Sequence, residues 1–235
     1  MAPTVLFIRN EHIATEAMLG DAFVESGYEV TTFDVVPPAG TLDVDVTFPD
    51  PRDYDVVVPL GASWPVYGGQ RWIEAEMQML RDAAEAGVAA LGVCFGGQLL
   101  AQAHGGSVGR ADVPEIGWYE IDTDDADLIP GGRWFQWHFD AWRLPPGATE
   151  LARTANASQA FLLGRTLALQ FHPELDTDLL ETWLAADGGA DLDAVGLTAD
   201  RLRSATADLQ ADAGARLRHL VREFTRRVVA QPCPS

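Results

Sequence analysis

The sequence predicts an α/β chain: a three-layer sandwich with a mostly parallel central sheet, a small antiparallel sheet and a C-terminal helical extension. Three observations carry that expectation. Short apolar runs at Thr4–Ile8, Asp55–Leu60 and Val88–Val93 are separated by stretches of helical period, as in strands joined by helices. From Gly105 to Phe171 the pattern becomes a series of short strand-like runs. Beyond Gly196 one long helical stripe remains.

Thr4–Ile8 reads as a buried first strand, followed by a helix between Glu11 and Ser26 that Gly27 ends. Tyr28–Phe33 is the second strand; Pro37, Pro38 and Gly40 mark a loop, and Asp43–Asp53 is an acidic connector. Asp55–Leu60 is the third strand and runs into a loop that starts at Gly61, Ala62 and Ser63. Arg71–Ala86 puts Trp72, Ile73, Met77, Leu80 and Ala84 on one helical face, with Gly87 as the stop. After the central strand a helix begins just past Cys94.

Candidate strands follow at Ser107–Arg110, Glu115–Asp122, Trp134–Trp137, Thr149–Thr154, Gln159–Leu163 and Thr166–Phe171, with Gly164-Arg165 as a two-residue hairpin turn. The Asp-rich run Asp122–Asp127 lacks the glycine and terminal glutamate of a calcium loop and reads as solvated. Asp176–Ala186 is a helix ended by Gly188-Gly189. Thr198 N-caps the last helix, whose stripe is Leu202, Leu209, Ala213, Leu217, Leu220, Phe224 and Val228. That stripe reads as packing on the domain's own surface; a homo-oligomer or partner contact through it is the sharper alternative. Residues 1–187 are taken as one domain and 188–235 as the extension.

Two stretches carry chemistry. In Gly92-Val93-Cys94-Phe95-Gly96-Gly97-Gln98 an apolar strand ends in a cysteine, and glycines open a helix. Those glycines allow a tight turn and a close helix–strand approach. A helix N-terminus beside the sulfur favours thiolate, and it leaves the Phe95 N–H free to stabilise an oxyanion. In Gln170-Phe171-His172-Pro173-Glu174 a strand of period two ends in a histidine. Pro173 holds His172 extended, so His172 and Glu174 lean to the same side. A carboxylate beside an imidazole fixes its tautomer and steadies the imidazolium. A structural histidine and a buried cysteine are the blander readings; their co-occurrence in this form argues against both. His138, two residues before Asp140, repeats the spacing and is a weaker candidate base.

These two motifs, in this order, resemble the class I glutamine amidotransferases, and among them stand-alone proteins similar to the amidotransferase domain of GMP synthase. The resemblance runs from about Val5 to Leu175. It implies a flavodoxin-like fold and a Cys94–His172–Glu174 triad that hydrolyses the side-chain amide of glutamine through a γ-glutamyl thioester. It also implies an oxyanion hole from the N–H of Phe95 and that of Ala62 or Gly61, where the family's Gly-Gly-Pro is replaced by Gly61-Ala62-Ser63. Gln98 would help hold the substrate. Trp137, His138 and Phe139 match a segment whose backbone contacts the substrate's α-amino and α-carboxyl groups, with Phe139 standing where the family has a small residue. No synthetase domain is recognisable, so ammonia would pass to a separate acceptor synthetase. A cysteine hydrolase of another γ-glutamyl amide or peptide, and a non-catalytic regulatory or binding module, are the alternatives.

Composition narrows the rest. Of 235 residues 47% are hydrophobic, enough for a real core. The formal charge is −19, from 35 acidic residues and 16 basic ones, all arginine, so nucleic acid is not an expected partner. With two cysteines, Cys94 and an exposed Cys233 in a Pro-flanked tail, a disulfide framework is not expected. The N-terminus reads directly as a strand, without a signal-peptide pattern, and no apolar run has the length of a membrane span. A cytoplasmic protein without metal or cofactor is the expectation, since a thioester route needs neither.

Overall fold

The computed structural model describes residues 1–38, 42–186 and 188–230. Gly40 and Cys233, singled out above, lie outside the described residues. The chain runs β1 (Thr4–Glu11), α1 (Ala17–Glu25), β2 (Glu29–Val36), β3 (Val56–Pro59), α2 (Arg71–Glu85), β4 (Ala89–Val93) and α3 (Phe95–Ala103). It continues through β5 (Ser107–Thr123), β6 (Gly132–Arg143), β7 (Thr149–Arg153), β8 (Ser158–Leu163) and β9 (Thr166–Leu169). Three helices close it: α4 (Thr177–Ala185), α5 (Gly188–Val195) and α6 (Ala199–Phe224), the last running into a π-helical turn at Thr225–Val229.

Among the described residues these strands form one nine-stranded sheet in the order β2-β1-β3-β4-β9-β8-β7-β5-β6. The pairs from β2 to β9 are parallel and the rest antiparallel. The antiparallel strands thus extend the parallel sheet, and the long β5–β6 ribbon joins it through the pairs Asp122–Arg153 and Thr123–Ala152.

The apolar runs of β1, β3 and β4 are covered on both faces, as buried parallel strands require. Val5 and Phe7 face a core with Leu19 and Phe23 of α1 and Leu217, Leu220, Val221 and Phe224 of α6. Leu6 and Ile8 face the opposite core, with Trp72, Ile73 and Leu80 of α2 and Leu99 and Leu100 of α3. A third cluster packs Leu179 and Leu180 of α4 and Leu192 of α5 on Ile116 and Phe135.

Several boundaries differ from expectation. β1 does not stop at Ile8: Arg9 and Glu11 pair with Asp34 and Val36 of β2, and the helix starts only at Ala17. Charged and polar residues there hid a strand whose end is held by ion pairs of Arg9 with Glu16 and Asp34. The runs at Ser107–Arg110 and Glu115–Asp122 are one strand, with an irregular register between Arg110 and Glu115. Gly188-Gly189 does not simply stop a helix, because α5 begins there. The Gly164-Arg165 turn stands as expected, with Leu163 opposite Thr166 and Gly164 at φ +58°.

Candidate active site

Cys94 follows the last residue of β4 and is the N-cap of α3. Its backbone sits at φ 50° and ψ −108°, a strained conformation for a residue with a Cβ. The surroundings impose it. The Cys94 N–H donates to the Leu169 carbonyl of β9 at 2.8 Å, and its own carbonyl accepts the Gln98 N–H at 2.9 Å. α3 can start this close to the sheet only because residue 96 lacks a side chain: a methyl there would lie 2.0 Å from the Pro59 carbonyl oxygen. The sulfur therefore turns out of the sheet into a pocket of about 480 Å³ at the carboxyl ends of the parallel strands.

His172 lines the same pocket. Its N–H donates to the Phe135 carbonyl of β6 at 2.8 Å, which pins the chain just past β9. Its Nδ1 lies 2.7 Å from Glu174 Oε1, both side chains being buried. With Nδ1 committed to Glu174, Nε2 is the nitrogen left for proton transfer. Burial alone would lower the His172 pKa; the charges of Glu174 and Cys94, and hydrogen bonds to both, push it up to about 10. The ring of Trp183 meets His172 edge-on at 4.8 Å, and its Nε1–H donates to the Ile13 carbonyl at 2.9 Å.

Gly61 and Ala62 form the pocket wall across from Cys94. A methyl on Gly61 would sit 3.3 Å from His172 Cε1 and 3.9 Å from Cys94 Cβ, so glycine fits this wall most easily. The Phe95 ring is packed on Trp72 in the core, while its backbone N–H belongs to the first residue of α3, where helix N–H groups have no intrahelical partner. Gln98 bridges α3 to β6: its Nε2 donates to the Asp140 carbonyl at 3.2 Å and to Gln170 Oε1 at 3.3 Å.

β6 supplies the far wall. The Trp137 carbonyl lies 3.9 Å from the Cys94 sulfur, and the indole Nε1–H donates to Asp191 of α5 at 2.9 Å. Phe139 lies under the Arg110 guanidinium, 4.6 Å from the ring centre. His138 has both ring nitrogens engaged, with Glu115 Oε2 at 3.1 Å and the Asp140 carbonyl at 3.0 Å. Its carboxylate partner is therefore Glu115, not Asp140, and it has no nitrogen free to serve Cys94. Burial would raise the Glu115 pKa, but hydrogen bonds from His138, Thr154 and Asn156 hold it below the usual carboxylate range.

The structure thus brings Cys94, His172, Glu174, Gly61, Ala62, Gln98 and the β6 segment to one place. Sequence reasoning missed Trp183, Asp191, Glu11, Tyr67 and Arg110, which also line or close the pocket. Asp140, seen only as a neighbour of His138, accepts from the Tyr67 hydroxyl at 3.1 Å.

Comparison with known proteins identifies the family and the fold. The family model for class-I glutamine amidotransferases matches residues 12–187. The GMP synthase (glutamine-hydrolyzing) of Aeropyrum pernix is 35% identical over 175 residues, 68% of this chain and 32% of that protein. One GMP synthase (glutamine-hydrolyzing) subunit, from Sulfurisphaera tokodaii, is 29% identical over 137 residues, 53% of this chain and 69% of its own length. The chain spans about a third or less of the first curated relatives it matches. A solved glutamine amidotransferase from Thermotoga maritima superposes with a TM-score of 0.82 at 26% identity, covering 98% of this chain and 100% of that one. A family match over most of the chain, and a structural likeness over nearly its full length, lead to one conclusion: the chain belongs to the class-I glutamine amidotransferase family.

Proposed function

We propose that this protein hydrolyses the side-chain amide of glutamine through a γ-glutamyl thioester on Cys94. The observation that carries the proposal is the shared pocket, in which a strained cysteine at a helix N-terminus stands beside an imidazole held by a carboxylate at 2.7 Å. Cys94, as thiolate, attacks the δ-carbonyl carbon of glutamine. The N–H of Phe95 and that of Gly61 or Ala62 stabilise the oxyanion. His172, protonated in the resting site, gives its proton to the departing nitrogen, and ammonia leaves.

Thioester formation removes the charge on Cys94, one of the influences that hold the His172 pKa up. His172 then becomes a better base at the moment when water must be activated to release glutamate. Glu174 keeps the ring oriented throughout. The ammonia goes to a separate acceptor synthetase, a role supported by the subunit form of one relative.

A second reading, hydrolysis of another γ-glutamyl amide or peptide with the same triad, is favoured by the bulk of Phe139 and the cation of Arg110 in the pocket. A panel of γ-glutamyl substrates tests both. Equal release of ammonia and glutamate from glutamine, abolished in Cys94→Ala, supports the first reading. Turnover confined to larger γ-glutamyl compounds supports the second. No turnover of any of them would leave a non-catalytic module as the better description.

A further inference from the structure

We propose that Asn10 and Glu11, adjacent residues at the end of β1, clamp the two ends of the Gly61–Ala62 turn and so aim its N–H groups at the oxyanion above Cys94. The proposal rests on the amide-hydrolase reading and adds positioning residues to it. Successive side chains on a strand point to opposite sides, so the pair reaches the turn from two directions.

Asn10 is fully buried, and its Nδ2–H donates to the Leu60 carbonyl at 3.1 Å and to Glu76 Oε1 at 3.3 Å. Glu11 accepts from the Ser63 N–H at 2.8 Å and from the Ser63 hydroxyl at 2.7 Å, both through Oε2. Between these anchors lie Gly61 and Ala62, and among the described residues neither N–H has a hydrogen-bond partner.

The direction of the turn follows from backbone geometry. Leu60 donates its N–H to the Ile8 carbonyl at 3.0 Å and offers its own carbonyl to Asn10, so both its polar groups face β1. In a trans peptide the next N–H, that of Gly61, points the opposite way. Since β3 lies between β1 and β4, the opposite way is toward β4 and Cys94. Behind Asn10 the Glu76 carboxyl is fully enclosed, and burial pushes its pKa up to about 8, so at neutral pH it braces Asn10 as a neutral acid. Strand β1 reaches Asn10 and Glu11 only because it overruns its apolar run.

The test uses the full-length chain and three readouts: kcat and KM for glutamine, the same for γ-glutamyl p-nitroanilide, and the rate at which iodoacetamide alkylates Cys94. Alkylation needs the thiolate but creates no oxyanion. Glu11→Ala should lower kcat about ten- to a hundredfold, with KM and the alkylation rate within about twofold, and Glu11→Gln, which keeps an acceptor oxygen, should recover most of the loss. Glu11 lies at the pocket rim, so its substitution leaves the core intact. Glu76→Leu, which removes the brace, should reproduce the kcat loss.

The clamp is wrong if Glu11→Ala leaves kcat unchanged, if alkylation falls in step with kcat, or if KM alone rises, which would place Glu11 on the substrate. A wild type that turns over neither compound would sink the amide-hydrolase reading and the clamp together. An active wild type with an indifferent Glu11→Ala sinks the clamp alone.

Discussion

His172 is an imidazolium at neutral pH because two neighbours outweigh its burial. Its folded pKa of about 10 lies above the ordinary 6.5, so its contribution to stability is fully present below about 6.5 and is lost as pH rises through about 10. Glu174→Gln removes one raising charge. We expect the His172 pKa to fall, the alkaline loss of acylation to begin at lower pH, and kcat to drop roughly a hundred- to ten-thousandfold. A pH–rate profile of the variant checks this, and urea midpoints at low and high pH should show a smaller difference than in the wild type. The three members of this group were readable from sequence because each sits in a local pattern: the cysteine between an apolar run and glycines, and the histidine with its carboxylate across one proline. Trp183 and Asp191 were not. They reach His172 and Trp137 from helices far along the chain, and nothing local marks a tryptophan or an aspartate as facing a pocket.

Among the elements, the β4–turn–α3 unit places Cys94, and its tolerance is small. Gly96→Ala puts a methyl 2.0 Å from the Pro59 carbonyl oxygen, so α3 must lift from β3. We expect about 1–3 kcal/mol of lost stability and a further fall in kcat as the Phe95 N–H moves; chemical denaturation and steady-state kinetics measure the two. This unit was legible because strand and helix signals adjoin there. β1 was read three residues short because Arg9, Asn10 and Glu11 carry no apolar alternation, although their backbone stays in the ladder. α5 was missed because two glycines open it, and its helical form goes with the seating of Leu192 in the cluster beneath it.

The whole molecule is one wide sheet with helices on both faces, and α6 belongs to its main core. Leu217, Leu220, Val221 and Phe224 pack with Val5, Phe7, Val58 and Leu91. Most of the apolar stripe read from the sequence is therefore filled from within the chain, Leu209 staying half-buried, whatever boundary is drawn near residue 187. Leu220→Ala should cost about 2–5 kcal/mol, a loss readable as a lower thermal midpoint; a change within about 0.5 kcal/mol would mean that α6 is only loosely docked. Among the described residues no helix is long and apolar enough to cross a membrane. The parallel half of the sheet was legible from its apolar runs. Its continuation into the antiparallel half was not, since the joining pairs Asp122–Arg153 and Thr123–Ala152 are only two, and three of their four members are polar and at least partly exposed.

Covalent trapping decides whether the pocket is a glutamine site with a working nucleophile. The protein is incubated with 6-diazo-5-oxo-L-norleucine, a glutamine-shaped electrophile, with and without excess glutamine, and the modified peptide is located by mass spectrometry. One adduct on Cys94, suppressed by glutamine and slowed in His172→Ala, is the result expected here. A label on Cys233 alone, or none on Cys94 while iodoacetamide still reaches it, would contradict it.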